Sequence, residues 1–307
     1  MKPETGRTAP TASQASIVSL GTATPGGGFP LYGAAFADTV NATDPSLAVT
    51  PRNTRGSTEN VPLLEAGDLD SALVQGEVAY EAFAGIGRQP ADLRIVAAMY
   101  STPGMFVVRA DSRYRAIGDL VGGRVAFGAR GSGLVILARY VLDGLGLDQD
   151  KDFQAVYLDR AGDGPAMVAD GRVVALWGGG AGWPGFIAVA RDPGGARFIA
   201  PDAGEVSRIR ARRVFLKPLT VPAGSYPGQD AAIRSVGSWS VVLARPTLAD
   251  DIAYRLARAL HRGEAALAGR LPQARETTAA NTAAAAPRVD LIHPGVLRYL
   301  REAGIVT

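Results

Sequence analysis

Between Gly21 and Gly33 the chain reads Gly-Thr-Ala-Thr-Pro-Gly-Gly-Gly-Phe-Pro-Leu-Tyr-Gly. A short strand pattern, Ser16 to Leu20, runs into this stretch. A helix pattern leaves it, with Leu31, Ala35 and Phe36 on one side and Val40 a turn further on. Strand, glycine-rich turn and helix start, in that order, are the unit from which α/β sheets are built. Three successive glycines let the backbone turn sharply and approach a ligand closely. The helix that follows presents unpaired N–H groups and the positive end of its dipole. Together these form a site for a carboxylate or a phosphate. Pro30 suits the first helical turn, where its missing N–H costs nothing. Taken alone, the same turn is equally well a tight connection that packs a helix on a sheet.

The unit recurs. Leu47 to Pro51 reads as a strand and leads through Asn53–Asn60 into a helix capped by Ser57, which stops near Gly67. Ala72–Gln75, Arg94–Tyr100 and Met105–Arg109 are three further apolar runs. A second set begins near Ala110. Its strand Arg124–Phe127 is followed by the glycine-rich turn Gly128–Gly133 and by a helix with Leu134, Leu137, Val141 and Leu145 on one face. Gln154–Leu158 and Val173–Trp177 read as strands, the second ending in Gly178-Gly179-Gly180-Ala181-Gly182-Trp183. Residues 202–238 are less regular. Trp239–Arg245 is a strand, and the helix after it carries Leu248, Ile252, Leu256 and Leu260. The run Glu276–Ala286 fits helix or loop, and Val296–Leu300 lies on a short helix. Strands alternating with helices predict an α/β fold with a largely parallel sheet. Ligands of such sheets sit beyond the carboxyl ends of the strands, where the glycine-rich turns fall.

With 307 residues, 47% of them hydrophobic, the chain has material for a large core and more than one domain. A net charge of +3 and the absence of a dense Lys/Arg block argue against nucleic acid as a partner. Without cysteine there is no disulfide, thiolate metal site or cysteine nucleophile, and two histidines cannot supply a rich metal site. We therefore expect no metal, no cofactor and no catalytic residue. No apolar run is long enough to span a membrane. Residues 1–15 are polar, lack the apolar region of a signal peptide, and read as a flexible lead-in.

Six segments in order resemble the TAXI family, the solute-binding proteins of tripartite ATP-independent periplasmic (TRAP) transporters. They are the turn with Gly26-Gly27-Gly28, Arg55–Asn60, Leu73-Val74-Gln75, Gly128–Gly133, Val221–Gln229, and His293-Pro294-Gly295 with Arg301–Gly304. The resemblance spans nearly all of Ser16 to Ile305. It implies a type II periplasmic-binding-protein fold: two α/β lobes, a ligand cleft between them and a hinge crossed twice, near Met105–Ala110 and Ser240–Arg245. On that basis lobe 1 comprises residues 16–107 and 243–307, and lobe 2 residues 108–242. It also implies a periplasmic receptor that passes a small carboxylate to TRAP permease subunits in the membrane. The family's solutes include amino acids such as glutamate or glutamine and a keto-dicarboxylate. This sequence departs from the family pattern at Gln75-Gly76-Glu77, at Arg130 and Leu134, and at Trp177.

The expected chemistry is binding by preorganised dipoles. N–H groups of Gly27, Gly28, Phe29, Ser57, Gly131, Ser132 and Gly133 are candidate ligand donors, with Thr22, Ser57 and Ser132 adding hydroxyls and Asn60, Gln75 and Gly179 lying on matching loops. Helix capping by Ser57 and Ser132 is compatible with the same role. Arg130 is a candidate two-bond clamp for a carboxylate, the alternative being a side chain in solvent. Glu77 is a candidate partner for a ligand ammonium or, more simply, a helix-start charge. Trp177 and Trp183 stack on a ligand or belong to the core. His293, before Pro294 at a turn, reads as structural. Two other functions share these features. An enzyme on a two-lobed frame lacks here a G-x-x-x-x-G-K-[ST] loop and a Gly-x-Ser-x-Gly elbow with a suitable histidine. The binding component of an ABC-type system, or a sensor, would use the same fold.

Overall fold

The computed structural model describes residues 15–307. The lead-in expected over residues 1–15 thus lies, but for Ala15, outside the described residues. In chain order the elements are β1 (Ser16–Gly21), α1 (Gly28–Thr43), β2 (Leu47–Arg52), α2 (Ser57–Ala66), β3 (Ser71–Val74), α3 (Gly76–Ala84) and β4 (Arg94–Arg109). Then come β5 (Arg124–Ala129), α4 (Gly133–Leu145), β6 (Gln154–Leu158), α5 (Gly164–Ala169), β7 (Ala175–Gly179), α6 (Pro184–Arg191), β8 (Ala196–Ile199), α7 (Ala203–Arg212) and β9 (Lys217–Val221). The chain ends with β10 (Ile233–Ala244), α8 (Asp250–Arg270), α9 (Ala279–Ala285) and α10 (Pro294–Glu302).

The strands lie in the order β2-β1-β3-β10-β4-β7-β5-β6, with β8 on β4 and β9 on β10. Neighbours β2, β1 and β3 are parallel, as strand–helix–strand units require, and β10 enters antiparallel between β3 and β4. Two strands are shared by both halves of the sheet. The first part of β4, from Arg94 to Pro103, pairs with β10; its end, Gly104 to Arg109, pairs with β7 and β8. Conversely, β10 pairs with β9 from Ile233 to Gly237 and with β3 from Val241 to Ala244. This is the two-lobed periplasmic-binding-protein fold, its lobes joined by two continuous strands. The sequence suggests a break at Ser101-Thr102-Pro103-Gly104, yet β4 runs through it. A register shift in β10 between Trp239 and Val241 lets the pair stay together where both strands change lobe.

The central strands β3, β4, β5 and β7 are buried along almost their whole length, as strands covered on both faces are. In the first lobe Phe36, Val40, Leu73, Met99, Leu256 and Leu260 form one layer, and Leu64, Leu69, Val74, Ile95 and Leu243 the other. In the second, Phe106, Phe127, Leu137 and Trp177 fill one face, and Met105, Leu176, Phe186 and Tyr226 the other. Residues 202–238, irregular in sequence, hold α7, β9 and the start of β10, and Glu276–Ala286 contains α9. No helix among the described residues is long and apolar enough to cross a membrane.

Candidate functional site

The loops that leave the strands of both lobes meet around a cavity of about 50 Å³. Five helices aim their N-termini at it. Gly27 and Gly28 line it from α1, Gly56 and Ser57 from α2, Gln75 from the cap of α3, Ser132 and Gly133 from α4, and Trp183 from the cap of α6. Among the described residues the N–H groups of Gly28, Phe29, Ser57 and Gly133 find no acceptor in the protein. These are the orphan donors of helix starts, and together they set a positive potential in the cavity.

The side chains add further donors. Gln75 is buried, and its Nε2 has no partner. The Tyr100 hydroxyl and the Trp183 Nε1 stand beside Gly28, 3.4 and 3.8 Å from where a Cβ on that residue would sit. Burial pushes the Tyr100 hydroxyl far above its ordinary range, and Tyr32 adds to this, so it stays a neutral donor. Ser57 Oγ accepts from the Gln75 N–H at 3.0 Å, and Ser132 Oγ caps α4 by accepting from the Leu134 N–H at 3.2 Å; each keeps its own hydrogen for another acceptor. The one charged residue on the lining is Arg55 at the rim, 78% exposed and paired with Glu59 at 3.1 Å. The cavity is thus rich in donors and has no buried cation.

The lobes touch across it. The carbonyl of Gly131 accepts from the N–H of Thr58 at 3.2 Å and from its hydroxyl at 3.0 Å, and the Ala161 N–H donates to Thr24 Oγ1 at 3.2 Å. Behind the cavity, Glu81 of α3 meets Arg139 and Tyr140 of α4, and Tyr80 stacks on Phe215 with ring centres 4.0 Å apart. Two glycines permit this approach. Gly56 adopts φ +120°, and a Cβ there would sit 2.7 Å from the Gly131 carbonyl oxygen. A Cβ on Gly133 would sit 2.4 Å from that of Gln75.

Of the residues singled out in the sequence, Gly27, Gly28, Phe29, Ser57, Gln75, Ser132, Gly133 and Gly179 line the cavity. Six others stand elsewhere. Thr22 is buried and bonds the Arg52 carbonyl, 3.1 Å away. Asn60 is buried beneath the loop and donates to the carbonyls of Thr22 and Leu73, each at 2.8 Å. Gly131 gives its carbonyl to Thr58. Arg130 is exposed, its guanidinium 5.9 Å from the ring centre of Tyr157, and it is not on the cavity lining. Trp177 belongs to the core of the second lobe, edge-on to Phe106, with Nε1 donating to the Leu134 carbonyl at 2.8 Å. Glu77 is completely buried against β10, where it accepts from Ser238 Oγ at 2.7 Å.

Sequence reasoning passed over Tyr100, Thr24, Thr102 and Ala161 on the lining. Tyr100 carried a signal: it is the one hydroxyl-bearing residue in the apolar run Ile95–Tyr100, placed where that run reaches the end of the lobe. His293 caps α10, its Nδ1 accepting from the Gly295 N–H at 3.2 Å while Nε2 faces the Leu248 carbonyl at 3.0 Å.

Known proteins share this architecture. MatC from Rhodopseudomonas palustris with bound malate superimposes with a TM-score of 0.60 at 14% identity, over 94% of this chain and 99% of that one. The periplasmic binding protein BugD gives 0.59 at 13% identity, over 94% and 98%. The alkanesulfonate-binding protein SsuA from Xanthomonas axonopodis pv. citri, bound to MOPS, gives 0.52 at 19% identity, over 94% and 85%. At these identities the likeness is one of fold. The sequence match is more direct: residues 20–304 match the NMT1-like family. The chain belongs to the NMT1-like family.

Proposed function

We propose that this protein is an extracytoplasmic solute receptor that encloses a small carboxylate between its lobes and hands it to a membrane permease. The observation that carries the reading is the convergence of five helix N-termini and the Gln75, Tyr100 and Trp183 donors on one cavity without a buried cation. Such a site suits the oxygens of an anion, each charge-assisted bond contributing on the order of 1.5–3 kcal/mol. We assign it binding without catalysis. MatC holds malate and SsuA a sulfonate buffer, both anions presenting oxygens, which is in keeping with this class. The ordered segments that resemble the TAXI family support a TRAP permease as the partner and a periplasmic location. We assign residues 16–103 and 241–307 to one lobe and 104–240 to the other, a few residues earlier than the sequence suggests, with the hinge where β4 and β10 change partners.

The test is calorimetry against a panel of dicarboxylates, keto acids, glutamate and glutamine, with mass spectrometry of the protein after mixing. We expect one carboxylate to bind at 1:1 and to return unchanged. Binding confined to cationic or neutral solutes, or steady turnover of the solute, would overturn the reading.

A further inference from the structure

Gln75 and Glu77 flank Gly76 at the start of α3, one facing the cavity and the other the hinge. The Gln75 amide lines the cavity with its Nε2 unpartnered, and it stands next to the Glu77 carboxyl. Glu77 is completely buried. Its Oε1 accepts from Ser238 Oγ at 2.7 Å, on the strand that crosses between the lobes, and its Oε2 has no partner. Polar side chains thus stand in a row from the cavity, Gln75 then Glu77 then Ser238 of β10, with a hydrogen bond joining the last two.

Nothing neutralises Glu77. Among the described residues it takes part in no ion pair. The charge that acts on it from its own helix is Glu81, of like sign and itself bound to Arg139 and Tyr140 of α4. From β9, the exposed Lys217 lines the groove that Ser238 and Trp239 border. An ionised Glu77 would repel an anion in the neighbouring cavity, which has no buried cation to offset it, and would compete for the Gln75 amide hydrogens. A protonated Glu77 does neither.

We infer that the cavity takes its anion together with one proton, and that Glu77 carries this proton. This deepens the receptor reading and rests on it. The proton comes from solvent and adds to Oε2, turning an unpartnered acceptor into a donor. Burial raises the carboxyl to about 7, against the opposing hydrogen bond from Ser238, with Glu81 pushing it further up. Capture above neutral pH therefore draws a proton in, and capture well below it does not, since Glu77 is then already neutral.

The experiment is calorimetry with malate, 2-oxoglutarate and glutamate as probes at pH 8, in two buffers that differ in ionisation enthalpy. Binding heats that differ by the uptake of between half a proton and one proton are expected, with Kd rising about five- to tenfold per pH unit above 7. Glu77→Gln should bind with no proton uptake and with a Kd that is flat from pH 6 to 8. The two-buffer comparison uses the unaltered protein, so it decides the matter even if the variant does not fold. Binding with equal heats in both buffers, or a pH dependence that survives in Glu77→Gln, overturns the proton linkage alone. No anion binding at any pH overturns the receptor reading, and the linkage falls with it.

Discussion

Gln75 is the side chain through which the cavity is most open to test. Its amide nitrogen is buried without a partner in the protein, and the side chain lines the cavity. Gln75→Ala should weaken binding of the screened carboxylate by about 10- to 100-fold, the loss of one hydrogen bond to a charged group, measured by calorimetry. Arg130 presents the opposite case. Its side chain lies over Tyr157 in solvent, so Arg130→Ala should leave Kd within twofold. A sequence places both residues on loops at strand ends, but it does not say which way a loop side chain turns. That depends on the φ and ψ of residues packed against the other lobe. The two tryptophans differ for the same reason. Trp177 is inside β7 and its pleat directs it to the core, whereas Trp183 comes after the glycine loop and returns to the cavity. The backbone donors were easier to read, because Gly28, Ser57 and Gly133 lie at helix starts, where an orphan N–H is unavoidable.

At the level of elements, the strand–turn–helix units were legible from apolar runs and glycine punctuation, and β1, α1, β5 and α4 fall close to where those signals put them. β4 was not legible as one strand. Ser101-Thr102-Pro103-Gly104 has the composition of a turn, and pairing with β10, more than 130 residues further on, and with Gly179 of β7 holds it extended. The turn before α2 carries a prediction of its own. With φ at +120° and the Gly131 carbonyl in the way, Gly56 admits no side chain in the closed arrangement. Gly56→Ala should keep the lobes apart: small-angle scattering of the ligand-saturated variant should give the larger radius of the free parent, and affinity should drop at least tenfold.

For the molecule as a whole, donors on both sides of a cleft and two shared strands predict closure on binding. The radius of gyration of the parent should fall when the tightest solute is added. Glu77 adds a pH dependence to stability. Its carboxyl titrates at about 7 in the fold and near 4.5 when unfolded, so its favourable contribution is whole below 4.5 and is lost as pH rises through 7. Glu77→Gln should therefore melt with the parent at pH 4 and resist denaturation better at pH 8, by on the order of 3 kcal/mol. The position of β10 between β3 and β4 governs one more property, the order in which the halves can be finished. The first hundred residues leave the sheet of their own lobe split by a gap one strand wide, which only residues 233–244 fill. By residue 199 the strands β5 to β8 already have all their partners. The part of the chain made first is thus completed last, and a polypeptide still leaving the ribosome stays without half its fold until residues 233–244 are made.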